Sequence, residues 1–136
     1  MRSEIDRNMP EGWETGQIEE QYLKYNPGGK FEPHQDTWAN PFNETDVKEK
    51  KMTHRFLTLI VYLNPFWKPD DGGKLVVLEN REPDAKKTYL TPTMGKATLF
   101  RADKVYHGGE EVIGTSKRAV SLFILIRKIK DSTIIN

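Results

Sequence analysis

The apolar residues of this chain fall in short runs separated by glycine, proline and polar clusters, and nowhere do they hold a 3.6-residue period across three turns. The runs are the length of strands. Gln21–Tyr25 reads as a short strand that ends at the turn Asn26-Pro27-Gly28-Gly29. Lys30–Asp36 reads as a second, and Arg55–Leu63 (RFLTLIVYL) is β-branched and aromatic enough for a central one. Lys74–Glu79, Lys87–Leu90 (an edge strand) and Lys96–Arg101 follow, with polar loops between them, and Lys104–Ile113 then crosses His107 and two glycines. Lys117–Arg127 is the longest run. Lys117, Ala119, Ser121, Phe123 and Leu125 share one of its faces, and Arg118, Val120, Leu122, Ile124 and Ile126 the other. Apolar residues on both faces predict burial on both sides for much of its length. Residues 39–52 read as a long loop and residues 1–16 as a loop or arm. Many short strands with turn signals between them predict an all-β fold: a jelly roll, or cupin-like double-stranded β-helix, with little helix.

Length and composition narrow the class. The chain has 136 residues, enough for one domain with a proper core. We expect residues 1–136 to form that single domain, with its core at about 19–128 and an N-terminal arm at 1–18. Its 21 basic and 20 acidic residues give a net charge of +1, which argues against a dedicated nucleic-acid binder. Cysteine is absent, so disulfides, thiolate metal sites and cysteine nucleophiles are excluded. That fits a reducing compartment, and we expect a soluble, cytoplasmic protein. The N-terminus has charges where a signal peptide needs an apolar stretch, and no apolar run approaches a membrane span.

The chemistry concentrates in few residues. In His34-Gln35-Asp36 the first and third residues of a strand point to one face, which sets an imidazole beside a carboxylate. Alone, His-x-Asp is common, and a surface turn with a solvated aspartate is its ordinary reading. The chain has only three histidines, and His107 lies in VYHGGEEV just ahead of the long final strand. A third ligand there completes a two-histidine, one-carboxylate set, which leaves half of an octahedral shell open, as non-haem iron(II) oxygen chemistry requires. Lys117 opens a strand face that is otherwise Ala, Ser, Phe and Leu. A lysine aimed into an apolar barrel needs an anionic partner, unless it snorkels to solvent at the strand end. Ser121 shares its face and could add a hydrogen bond. Arg118 takes the role if the register slips by one. Trp38, two residues past Asp36, suits a substrate wall or simple loop packing. The charged run Asp46–Met52 reads as a solvated loop or a lid over the site, and His54 as exposed.

The ordered set LKYNPGGKFEPHQD, LTLIVYLNPFWKPDDGGKLVVL, PTMGKATLF and VYHGGEEVIGTSKRAVSLFIL resembles the prolyl-hydroxylase-like Fe(II)/2-oxoglutarate dioxygenases from about Gln21 to Arg127. The YLNPFWKPDDGGKL segment is similar to hypoxia-factor and ribosomal-protein prolyl hydroxylases, whereas a lysine at 117 is more similar to collagen-type enzymes. The resemblance implies that His34, Asp36 and His107 are the iron ligands and act in catalysis. It implies that Lys117 anchors the co-substrate carboxylate with Ser121 assisting, and that Tyr25 and Tyr62 line the 2-oxoglutarate pocket. Each tyrosine suits the core equally well. The implied cofactors are Fe(II), 2-oxoglutarate and O2, with ascorbate as an auxiliary reductant. The implied activity is hydroxylation of a prolyl residue in a peptide or protein, with release of succinate and CO2. The alternatives are hydroxylation of another residue or a small molecule on the same site, and a non-catalytic cupin-type binding module. Family members usually carry helices ahead of the first core strand. The short lead here is consistent with a minimal version, an oligomer that covers the bare sheet, or a fragment.

Overall fold

The computed structural model describes residues 2–37, 42 and 55–129. Helix α1 (Arg2–Arg7) precedes eight strands: β1 (Trp13–Tyr25), β2 (Phe31–His34), β3 (Arg55–Tyr62), β4 (Leu75–Leu78), β5 (Lys87–Leu90), β6 (Ala97–Arg101), β7 (Tyr106–Gly109) and β8 (Lys117–Lys128). They form two four-stranded antiparallel sheets, a major sheet in the order β1-β8-β3-β6 and a minor sheet in the order β2-β7-β4-β5. Buried Tyr62 and Ala119 of the major sheet meet Leu75 of the minor sheet, with Ile60, Val77 and Leu90 packed around them. This is the double-stranded β-helix predicted by the strand pattern.

β8 is the spine of the major sheet, paired along one side with β1 and along the other with β3. Its alternation is as expected: Lys117, Ala119, Ser121 and Phe123 are buried on the face toward the minor sheet, while Arg118 is exposed on the other. The outward face is covered only in part. Ile124 and Ile126 are buried, but Val120 and Leu122 are half-buried, and Ile18, Tyr22 and Leu99 of the flanking strands are exposed.

Two sequence expectations need correction. The described part of the expected loop or arm, residues 2–16, is not all loop. It holds α1 and the start of β1, which begins at Trp13 rather than at Gln21. α1 is too short to show a helical period. Its Asp6 Oδ1 accepts the Thr15 backbone N–H at 2.7 Å, and Thr15 and Gly16 are buried. β1 escapes a pattern reading because it is an edge strand, rich in Glu and Gln, with a register shift between Thr15 and Ile18. Second, β2 ends at His34, so Asp36 lies beyond the strand. A bend whose Asp36 and Thr37 N–H groups both reach the Ala102 carbonyl (3.1 and 3.2 Å) sets its direction instead.

Two local devices hold the site's frame. Asn64, just after β3, is buried. Its Nδ2 donates to the carbonyls of Pro92 (2.7 Å) and Arg118 (3.1 Å), and its Oδ1 accepts the Arg118 N–H (2.7 Å). It therefore clamps the start of β8. Gly72 has φ of +66°, and a Cβ there would stand 2.4 Å from the Glu111 carbonyl, so only glycine admits the close approach between these chain segments. The expected loop at 39–52, apart from Phe42, lies outside the described residues, as do Trp38 and His54. Among the described residues no helix is long and apolar enough to cross a membrane.

Candidate metal centre and co-substrate pocket

His34 and His107 are Cα partners across β2 and β7, so their side chains fall on one face of the minor sheet, with ring centroids 4.4 Å apart. The bend after β2 brings Asp36 to the same point. Its Oδ1 lies 3.0 Å from His34 Nε2 and 3.5 Å from His107 Nε2. One ligand atom from each of the three residues can be chosen so that all lie within 4.8 Å of one another. No other such group of His, Asp and Glu occurs among the described residues.

The backbone decides which nitrogen each histidine offers. His34 Nδ1 is 2.8 Å from the Glu32 carbonyl, and His107 Nδ1 is 3.1 Å from the Val105 carbonyl. A carbonyl only accepts, so each Nδ1 carries a hydrogen and each ring turns its Nε2 toward Asp36: a free lone pair when the ring is neutral, an N–H donor when it is protonated. With the rings neutral, two lone pairs and a carboxylate oxygen face one another and repel unless a cation sits among them; without a metal, a proton on His34 Nε2 donated to Asp36 Oδ1 serves that purpose. A divalent metal also relieves the repulsion, and the donor set of two imidazoles and one carboxylate fits iron(II).

The titration behaviour follows from the same contacts. Burial pulls His34 down, but its hydrogen bonds to Asp36 and the Glu32 carbonyl outweigh that and leave it raised. Asp36 is driven up by burial, yet hydrogen bonds from His34 and Thr58 and the nearby His107 hold it below the usual carboxylate range. His107 is lowered, chiefly by burial.

A cavity of about 250 Å³ opens from this cluster between the sheets. That is small beside pockets for drug-sized ligands, which start at roughly 300 Å³. Lys117 stands in its wall, 9 % exposed. Its Nζ donates to the Gly73 carbonyl at 3.0 Å and lies 4.7 Å from the centre of the Tyr25 ring. Burial pushes its pKa down to about 8, against a small opposing pull from Glu110. Ser121 lines the same cavity and is buried. Tyr62 is 2 % exposed, and burial raises its phenol to about 12. Its hydroxyl faces Thr98 without making a hydrogen bond of good geometry, so a buried polar atom is left for a ligand. Burial also raises Tyr25. An ammonium, a buried hydroxyl and an unsatisfied phenol on the wall of one small cavity suit the far carboxylate of a short dicarboxylic acid. The iron(II) and 2-oxoglutarate pair therefore fits the residues present.

The structure thus brings His34, Asp36, His107, Lys117, Ser121, Tyr25 and Tyr62 to one cavity. Arg118 points away from it, and Trp38 lies outside the described residues. Two further residues at the cavity were not foreseen. Thr58 Oγ1 donates to Asp36 Oδ2 at 2.6 Å. It is the one polar residue inside the apolar run after Arg55, a signal that could have found it. Arg55 reaches the cavity through a register shift between Arg55 and Leu57, which no pattern rule predicts. It pairs with Glu19 at 3.2 Å and lies over the Phe123 ring at 3.6 Å.

Comparison with known proteins agrees with this fold. The chain is similar in fold to a prolyl 4-hydroxylase from Pseudomonas putida, with a TM-score of 0.65 and 20% identity over 85% of this chain. It is similar to a prolyl hydroxylase from Trichoplax adhaerens, solved with a hypoxia inducible factor peptide fragment, with a TM-score of 0.64 and 20% identity over 83% of this chain. It also matches a viral collagen prolyl hydroxylase from Paramecium Bursaria Chlorella virus-1, solved with 2OG, with a TM-score of 0.60 and 20% identity over 93% of this chain. The chain spans 55%, 46% and 66% of the lengths of these three. No curated protein matches the sequence significantly. The model of the 2OG-Fe(II) oxygenase superfamily matches residues 20–125, a span that holds the His34, Asp36 and His107 cluster, the lysine and both tyrosines. The chain belongs to the 2OG-Fe(II) oxygenase superfamily.

Proposed function

We propose that this chain is an Fe(II)- and 2-oxoglutarate-dependent dioxygenase that hydroxylates a prolyl residue in a peptide or protein, with succinate and CO2 as co-products. The observation that carries the reading is the convergence of the His34 and His107 Nε2 atoms on Asp36 Oδ1, in the wall of a cavity that Lys117 also lines. Bound iron(II) with 2-oxoglutarate and O2 supplies the oxidising chemistry. The chain supplies the rest. His34, Asp36 and His107 hold the metal from one side. Lys117 fixes the far carboxylate of the keto acid, with hydrogen bonds from Ser121 and Tyr62. Tyr25 covers the lysine and, with Leu23, Ile60 and Leu75, keeps water from the pocket. Proline as the substrate rests on the likeness in fold to prolyl hydroxylases, and Trp38 remains our sequence-based choice for the substrate wall.

The test is iron-dependent turnover of 2-oxoglutarate, read as succinate, with a proline-rich peptide read by mass for one added oxygen. The reading expects succinate that depends on iron and rises with peptide, and a peptide heavier by one oxygen at proline. Succinate without peptide oxidation would move the substrate to another residue or a small molecule. Absence of both iron binding and 2-oxoglutarate binding would contradict the enzyme reading and favour a binding module.

A further inference from the structure

Asp36 offers two oxygens, and the structure treats them differently. Oδ1 faces the two imidazoles, 3.0 and 3.5 Å from their Nε2 atoms. Oδ2 points the other way and accepts the Thr58 hydroxyl at 2.6 Å. That length belongs to a charge-assisted O–H···O⁻ bond, the strong class. Thr58 sits mid-strand on β3 with Phe123 and Phe100 as its Cα partners on either side, and it is 1 % exposed. A hydroxyl in that setting is costly unless it is used, and Asp36 is the partner the structure gives it.

The distinction bears on coordination. A carboxylate can bind a metal through one oxygen or two. Two histidines and one carboxylate oxygen leave three positions of an octahedron, enough for a chelating keto acid and O2. A carboxylate that swings to bind through both oxygens takes one of those positions. We propose that Thr58 is a positioning residue: its hydroxyl holds Asp36 Oδ2 away from the metal and so keeps the aspartate in the one-oxygen mode. This inference rests on the metal reading above.

Cobalt(II) is the probe, because its visible spectrum reports coordination without turnover. Three proteins are compared: wild type, Thr58→Val, which removes the hydroxyl at nearly constant shape, and Thr58→Ser, which keeps it. Cobalt affinity, the cobalt spectrum and 2-oxoglutarate affinity of the cobalt-loaded protein are measured for each. Thr58→Val is expected to alter the cobalt spectrum and weaken 2-oxoglutarate binding about tenfold or more, the range typical for residues behind metal ligands. Thr58→Ser is expected to restore both, which a loss of packing alone would not explain, since serine lacks the methyl group. A Thr58→Val protein with wild-type spectrum and wild-type 2-oxoglutarate affinity overturns the proposal. Infrared difference spectra of cobalt loading read the wild type directly, so the answer does not depend on Thr58→Val folding. The separation of the carboxylate stretches of labelled aspartate is wide for one-oxygen binding and narrow for two-oxygen binding, and a narrow separation overturns the proposal. A wild-type chain that takes up no cobalt overturns the metal reading itself, and this inference with it.

Discussion

Lys117 carries an ammonium into a cavity wall where its one hydrogen bond among the described residues is to the Gly73 carbonyl and its pKa falls to about 8. Its ordinary value is 10.5. Below pH 8 both the folded and the unfolded chain hold the proton, and the cost of burying the charge is fully present. Between about 8 and 10.5 the unfolded chain binds more protons, so stability rises with pH through that window. The cost at neutral pH is on the order of 3 kcal/mol. Lys117→Met is therefore expected to be more stable than wild type at pH 7, to lose the rise above pH 8, and to lose 2-oxoglutarate binding. Urea unfolding from pH 7 to 10.5 and a binding titration check this. A variant less stable at pH 7 would contradict the account of a lysine held under strain for an anionic guest. The lysine was legible in the sequence because a cation opening an otherwise apolar strand face is anomalous. His34 and His107 were legible because the chain has few histidines and one of them stands in His-x-Asp. Thr58 carried a comparable anomaly, a hydroxyl in an apolar strand, but its partner lies in a bend 22 residues away, which periodicity cannot see.

At the scale of elements, the site depends on where β8 begins. Tyr62 ends β3, and two residues on, Asn64 grips the carbonyl and N–H of Arg118 and the carbonyl of Pro92, which fixes the register that turns Lys117 inward and Arg118 outward. Asn64→Ala removes three hydrogen bonds and strands the Pro92 carbonyl and the Arg118 N–H, while the Arg118 carbonyl keeps the Leu63 N–H. It is expected to cost about 2–3 kcal/mol of stability in urea unfolding with an unchanged slope. A loss under about 0.5 kcal/mol, the level of an ordinary surface change, would show that β8 keeps its register without the clamp. The turn glycines and the strand periods were readable in the sequence. The helix before β1 and the early start of β1 were not, since one is too short for a period and the other is an edge strand of mostly polar residues. The register shifts in β2 and β3 were equally hidden, because a bulge changes pairing without changing composition.

For the whole molecule, the three proposed metal donors come from β2, the bend after it, and β7, and Thr58 and the Lys117 wall from the opposite sheet. The proposed chemistry therefore lies between the two sheets, and neither sheet alone carries the whole cluster and cavity. The sequence disclosed the sheet content and the candidate ligands. It could not disclose that two backbone carbonyls set the tautomers, because that depends on how β2 and β7 lie against each other. The most direct measurement is an anomalous difference map from crystals grown without oxygen in the presence of iron(II) and 2-oxoglutarate. The account predicts one strong peak within coordination distance of His34 Nε2, Asp36 Oδ1 and His107 Nε2, with the keto acid's far carboxylate on Lys117. A metal bound elsewhere, or a cluster at 34, 36 and 107 that stays empty at saturating iron while the fold is intact, would contradict it.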